Sequence, residues 1–125
     1  MAENDWAVEF FEEEERCPVR EFLEDLEVPH RAKLLAVIKL LEELGPTLPF
    51  PYSSQVEGKL RELRTHYGET HYRVFYFGHP TRSFVLVHAF VKRTDKTPRR
   101  EIDIARERMR RSLERAAARE KRKKR

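Results

Sequence analysis

Cysteine is almost absent, since Cys17 stands alone in 125 residues. One thiol excludes an internal disulfide and cannot build a zinc site by itself. No His or Asn is obviously paired with it, so Cys17 reads as a small apolar residue rather than a nucleophile. Long apolar runs are also missing, and none approaches the roughly 18 residues that a membrane span needs. The opening Met1–Asp5 is polar and acidic, unlike the basic and apolar start of a secretory leader. Together these absences lead us to expect a cytoplasmic protein with no membrane partner. There is no internal repeat. A convincing metal cluster is missing as well, because the carboxylates gather in residues 1–43, so no metal and no cofactor is expected.

What is present suits one charged globular domain, with 39% hydrophobic and 38% charged residues. The net charge of +4 conceals a gradient. Residues 1–43 hold 13 acidic and 5 basic side chains, residues 44–97 hold 4 and 8, and residues 98–125 hold 5 and 13. A molecule with a basic half attracts polyanions, nucleic acid first among them. Taken on charge alone, a solvated charged surface is the preferred reading.

Periodicity supplies the architecture. Trp6, Val8 and Phe10 alternate with Ala7, Glu9 and Phe11, which predicts a strand over Asp5–Phe11. The acidic run Glu12–Glu15 ends it. Pro18 suits a first helical turn, and Val19, Phe22, Leu23 and Leu26 follow on one stripe. After Pro29, Leu34, Leu35, Val37, Ile38, Leu41 and Leu44 predict a second helix with a wide buried face, stopped by Gly45 and Pro46. Pro46–Ser54, with three prolines and two serines, reads as a loop.

Strand patterns then occupy Lys59–His66, Thr70–Gly78 and Ser83–Arg93, joined by the short turns Tyr67–Glu69 and His79–Thr81. Thr97 is expected to cap a last helix with Pro98 at its first position and an apolar stripe of Ile102, Ala105, Met109 and Leu113. The expectation is an α+β fold, a small curved and mostly antiparallel sheet of order β-α-α-β-β-β-α with the helical hairpin on one face. Residues 1–113 would form the single domain, and residues 114–125 a frayed basic tail.

The polar residues of these strands carry the chemistry. Lys59, Arg61, Glu62 and Arg64 lie on the second strand, His71, Arg73 and Tyr76 on the third, and His88, Lys92 and Arg93 on the fourth, with Lys96, Arg99 and Arg100 just beyond. A basic, aromatic second face is what RNA would use, since rings stack on bases and Arg or Lys holds phosphate. Metal-free RNA cleavage needs a base for the 2′-OH, a cation for the growing charge and an acid for the leaving oxygen. Arg fits the second role, and Lys, His, Glu or Tyr the others.

Arg73 interrupts an apolar strand, so burial or function must compensate its charge. Lys92 ends an apolar strand at the sheet rim. Glu62 and Arg64 could equally pair with neighbouring charges, and His88 could equally be a satisfied core residue. His30 and His66 have no evident companions and read as surface residues.

Several segments resemble a known family in order. They are Leu60-Arg-Glu-Leu-Arg64, Tyr72-Arg-Val-Phe-Tyr-Phe77, Val87-His-Ala-Phe-Val-Lys-Arg-Thr-Asp-Lys-Thr-Pro98 and Glu101-Ile-Asp-Ile-Ala-Arg106. The chain is similar to the phage-derived Gp49-like branch of the HigB/RelE toxins of type II toxin–antitoxin systems. The resemblance implies a RelE-like fold and a ribosome-dependent mRNA endonuclease that inhibits translation. It also implies contacts with ribosomal RNA and neutralisation by a small helix-turn-helix antitoxin.

By position, Arg64, Arg73 and Lys92 resemble the family's basic active-face residues, with Lys59, Arg61 and Lys96 assisting on RNA and Tyr76 and Arg99 beside them. RelE toxins use a tyrosine near the end of the sheet region, and this chain has none after Tyr76. His88, Lys92 or Glu62 would then share the acid–base work. The same scaffold also serves ParE-like gyrase inhibitors, and a ribosome- or RNA-binding relative without nuclease activity is a third possibility.

Overall fold

A computed structural model describes residues 6–79 and 82–124, so that Met1–Asp5, Pro80–Thr81 and Arg125 lie outside the described residues. The elements run β1 (Ala7–Phe10), α1 (Pro18–Glu24), α2 (Val28–Leu44), a 3-10 turn (Gly45–Thr47), β2 (Ser53–Glu57), β3 (Leu60–Tyr67), β4 (Thr70–His79), β5 (Ser83–Lys92) and α3 (Arg99–Lys123). The sheet order is β1-β5-β4-β3-β2, antiparallel except for the β1–β5 pair. The fold is α+β, with helices packed on a five-stranded, mostly antiparallel sheet.

Three details differ from the expectation. The loop read over Pro46–Ser54 gives way to an extra strand, β2, which pairs with the start of β3. Val56 is its only large apolar residue, too little to produce an alternating signal. Leu35 and Leu44 do not join the buried face of α2, being 48% and 42% exposed, while Leu34, Val37, Ile38 and Leu41 are buried at three- and four-residue spacing. Finally, α3 begins at Arg99 after Pro98, without a side-chain cap, and the basic run from Glu114, expected as a tail, continues the helix through Lys123.

The sheet has a core on each side. Under α1 and α2 lie Leu63, Tyr72, Val74, Tyr76, Phe84 and Leu86. On the opposite face Leu60, Phe75, Phe77, Val85, Val87 and Phe90 pack with Phe11 beneath Ile102, Ala105, Met109 and Leu113 of α3. Each fully buried Leu or Phe stabilises the fold by about 2 kcal/mol. The second face is therefore not a free basic surface along its length, because α3 covers its apolar part. Trp6 closes the hairpin side at the end of α2, where its backbone N–H donates to Glu42 O at 2.8 Å. Gly45 has φ +56°, and a Cβ there would sit 2.3 Å from the Trp6 ring nitrogen, so only glycine fits.

Two local devices aim the strands. Gly68, at φ +58°, turns β3 into β4 through Gly68–Glu69 alone, so Tyr67 faces Thr70 and His66 faces His71. In β5 the register slips between Phe75–His88 and Tyr76–Leu86, which leaves Val87 as an extra residue. That bulge switches the alternation, so His88, Phe90 and Lys92 share the α3-side face with Val85 and Val87.

Candidate functional site

Past the end of the apolar core, the α3-side face carries Glu62, Arg64 and His66 of β3, His71 and Arg73 of β4, and Lys92 of β5. Strand register makes neighbours of them, pairing Arg64 with Arg73, His66 with His71, and His71 with Lys92. Two cations directly opposite each other on one face destabilise a sheet. Glu62 partly offsets this repulsion. Its Oε2 accepts from Arg64 Nη1 at 3.1 Å and from Ser54 Oγ at 3.0 Å, and its Oε1 lies 3.6 Å from Arg73 Nε.

Arg73 is the least comfortable member. It is 6% exposed, and its Nη1 donates to the Tyr72 carbonyl at 3.0 Å, but its buried Nε has no hydrogen-bond partner among the described residues. Burial pushes its pKa down from the usual guanidinium range, and Arg64 adds to this while Glu62 opposes it. An ion leaving water loses several kcal/mol, which only well-formed pairing can return. One carboxylate shared between two guanidinium groups leaves this corner of the sheet positive.

Arg64, with 30% of its side chain exposed, forms the outer edge. Its guanidinium lies over the Phe50 ring at 5.2 Å, and its backbone N–H donates to Tyr52 O at 2.8 Å. Phe50 and Tyr52, from the loop before β2, are 69% and 45% exposed. Between this loop and the strands lies a cleft of about 310 Å³ lined by Lys33, Tyr52, Arg64, His66, His71 and Arg73. A larger hollow of about 680 Å³ lies against α3, where several of the lining charges are paired, as in Arg111 with Glu13 and Glu107.

His88 and Lys92 share the same face but are committed to neighbours. His88 Nε2 lies 2.7 Å from Glu101 Oε1, and Arg108 Nη1 lies 3.3 Å from its Nδ1. A guanidinium can only donate, so Nδ1 accepts and Nε2–H donates to Glu101. The ring also stacks on Phe90 at 5.6 Å. Burial pushes the His88 pKa below its ordinary value, Glu101 opposes this, and Arg108 reinforces it, so the ring is neutral at pH 7. Lys92 Nζ donates to the carbonyls of Thr94 and Asp95 at 2.9 and 2.7 Å, holding the turn into α3.

Residues 21–110 match the phage-derived Gp49-like protein family. The chain belongs to that family. Gp49-like proteins are associated with the toxins of toxin–antitoxin systems in the RelE superfamily. No curated protein matches the chain. The Gp49-like region reaches from α1 into α3 and so includes every residue of the cleft and the His88–Glu101 contact.

Within this Gp49-like domain the sequence-predicted residues divide. Glu62, Arg64 and Arg73 meet in one cluster, with Lys92 and His88 farther along the same face. Lys59 and Lys96 are exposed in the turns flanking β3 and α3. Tyr76 is 2% exposed in the hairpin-side core, where its hydroxyl bonds Ser53 Oγ at 2.6 Å, so its ring cannot stack on a base. Arg61 points to that same side and donates to Ser53 Oγ at 3.1 Å, away from the arginine cluster. Both misassignments have one cause: the strand alternates, and these two residues are register partners on the other face. Arg99 is exposed but held by Glu57 and Asp103.

Sequence reasoning missed Phe50, Tyr52, Lys33 and His66 as neighbours of the cluster. The signal for His66 was its place in the two-residue series Glu62, Arg64, His66. Nothing local announced Lys33 or the aromatic loop, which arrive through tertiary packing.

Proposed function

We propose that this protein is the toxin of a type II toxin–antitoxin pair, a ribosome-dependent and metal-independent mRNA endonuclease that stops translation. One observation carries the reading, namely that Arg64 and Arg73 stand side by side across β3 and β4 with a single carboxylate shared between them, beside the cleft. Structure alone gives no return for such a pair, whereas a phosphate would supply the missing negative charge.

In cleavage by the neighbouring 2′-OH, charge builds on the phosphate oxygens, and preorganised guanidinium groups stabilise that charge more than the ground state. Arg64 would meet the phosphate from the solvent side and Arg73 from behind it. Glu62 keeps both guanidinium groups oriented. The exposed rings of Phe50 and Tyr52 can stack on the flanking bases, and Lys59 and Lys96 extend the basic track along the backbone. Association with toxins in the family supports the biological setting, and with it a small helix-turn-helix antitoxin as the neutralising partner. The basic end of α3 suits contact with ribosomal RNA.

Expression of the protein in cells followed by mapping of RNA 5′ ends tests the reading. New mRNA ends confined to translated regions are expected. Intact mRNA with DNA damage would point instead to gyrase, and intact mRNA with stalled ribosomes to a binder that does not cut.

A further inference from the structure

The nuclease reading requires a base and an acid, and the groups that sequence pointed to are occupied. Glu62 Oε2 accepts from two donors and its Oε1 faces Arg73. Both ring nitrogens of His88 are engaged, by Glu101 and Arg108. Lys92 Nζ is held by two carbonyls. Two imidazoles in the cleft have a different character.

His66 and His71 face each other directly across β3 and β4, with ring centroids 5.2 Å apart and planes inclined by 29°. Both are exposed, and both line the cleft with Arg64 and Arg73. His66 Nδ1 lies 3.1 Å from Gly68 O. A carbonyl can only accept, so Nδ1 carries the hydrogen and the neutral ring presents an Nε2 lone pair. The groups facing the pair are Lys33 from α2, Tyr52 from the loop before β2, Arg64 and Arg73 on the strands, and Lys92 opposite His71 on β5. Four of these five are cations, which draws a phosphate to the two rings.

We propose that His66 and His71 are the proton-transfer pair of this site, His66 the base and His71 the acid; the proposal rests on the nuclease reading. His66 Nε2 takes the proton of the ribose 2′-OH. The 2′ oxygen bonds to phosphorus as the bond from phosphorus to the 5′ oxygen breaks. Protonated His71 gives its proton to that departing oxygen. The products are a 2′,3′-cyclic phosphate and a 5′-hydroxyl, and proton exchange with water returns both rings to their starting states. Arg64 and Arg73 hold the phosphate in the cleft against the two rings and carry the charge of the transition state.

The test is single-turnover cleavage of mRNA on purified ribosomes, with wild type, His66→Gln and His71→Gln, across pH. Both residues are exposed, so thermal melting of each variant is expected to match wild type. Each variant is expected to cut at least about 100-fold more slowly. Each is expected to bind ribosomes carrying an uncleavable 2′-deoxy substitution at the cut site as wild type does. His66→Gln removes the rise of rate with pH on the acidic side, and His71→Gln removes the fall on the basic side. Cutting within about threefold of wild type overturns the proposal while leaving the nuclease reading intact. So does a slow variant that keeps both limbs. If wild type itself leaves the ribosome-bound mRNA whole, the nuclease reading fails and the proposal falls with it.

Discussion

His88 of β5 and Glu101 in the first turn of α3 meet at 2.7 Å, so the strand that enters the candidate site is fastened to the helix that bounds it. Arg108, about two turns further along the same face of α3, donates to Val87 O at 2.9 Å and approaches the other ring nitrogen of His88. A neutral ring satisfies both partners, and a protonated one would place a hydrogen against Arg108.

Stability should therefore depend on pH through His88. Burial holds its folded pKa below the ordinary 6.5. As pH falls, the unfolded chain takes up a proton that the folded chain resists, so this contribution is intact above about 6.5 and is lost below it. Urea unfolding between about pH 7.5 and 5.5 should show wild type losing more stability on acidification than His88→Gln. Parallel losses in the two proteins would show that His88 does not titrate in this way.

Arg73→Met separates function from folding. Methionine fills a similar length without bringing charge into a site where Arg73 Nε finds no hydrogen-bond partner among the described residues and Arg64 stands opposite. Glu62 keeps Arg64 and Ser54 as donors. Removing one partner of a buried pair is destabilising when it strands the other charge, but Glu62 stays paired here, so the loss of Arg73's own desolvation cost offsets the change. Thermal melting should be unchanged or raised, while cleavage in the ribosome assay falls by about 100-fold or more. A variant that melts far lower, or cuts normally, would make Arg73 a structural residue.

Most of the fold was legible because its signals are local: the helical stripes of Val19–Leu26 and Ile102–Leu113, and the three meander strands with the short turn at Gly68–Glu69; the other expected turn includes Pro80–Thr81, outside the described residues. The aim of individual side chains was not. Residues Tyr72–Phe77 of β4 are buried on both faces, so apolar alternation is hidden and only Arg73 breaks the run. Tyr76, a residue type more often found in a core than in catalysis, does lie in the core, so only its expected RNA contact is lost. In β5 the Val87 bulge reverses the alternation midway, which no periodicity could reveal. The arginine cluster was found from residue type, whereas the cleft beside it is made by the Phe50–Tyr52 loop and Lys33, which come from elsewhere in the chain.

The two leucines of α2 that periodicity could not tell apart give a test of its docking. Leu41 is fully buried and Leu35 is 48% exposed. Leu41→Ala should cost about 2–5 kcal/mol in chemical unfolding, through lost burial and the cavity left behind. Leu35→Ala should stay within about 0.5 kcal/mol of wild type. Comparable losses would mean that α2 packs with a different face against the sheet.

Phe50 offers a test of how the site would hold RNA rather than how it would cut it. Its ring is 69% exposed and carries the Arg64 guanidinium on one face at 5.2 Å. That exposed contact is worth about 0.5–1 kcal/mol, so Phe50→Ala should scarcely change the melting temperature. A base stacked on the ring adds about 1–3 kcal/mol, so removing the ring should weaken binding of an uncleavable oligonucleotide by about 5- to 150-fold. Fluorescence anisotropy with intact and abasic oligonucleotides resolves the cause. If Phe50 stacks on a base, deleting that base should weaken wild type by about as much as the substitution does, and should leave Phe50→Ala almost unaffected. Additive losses from the two changes would place the base elsewhere and leave Phe50 only as a support for Arg64.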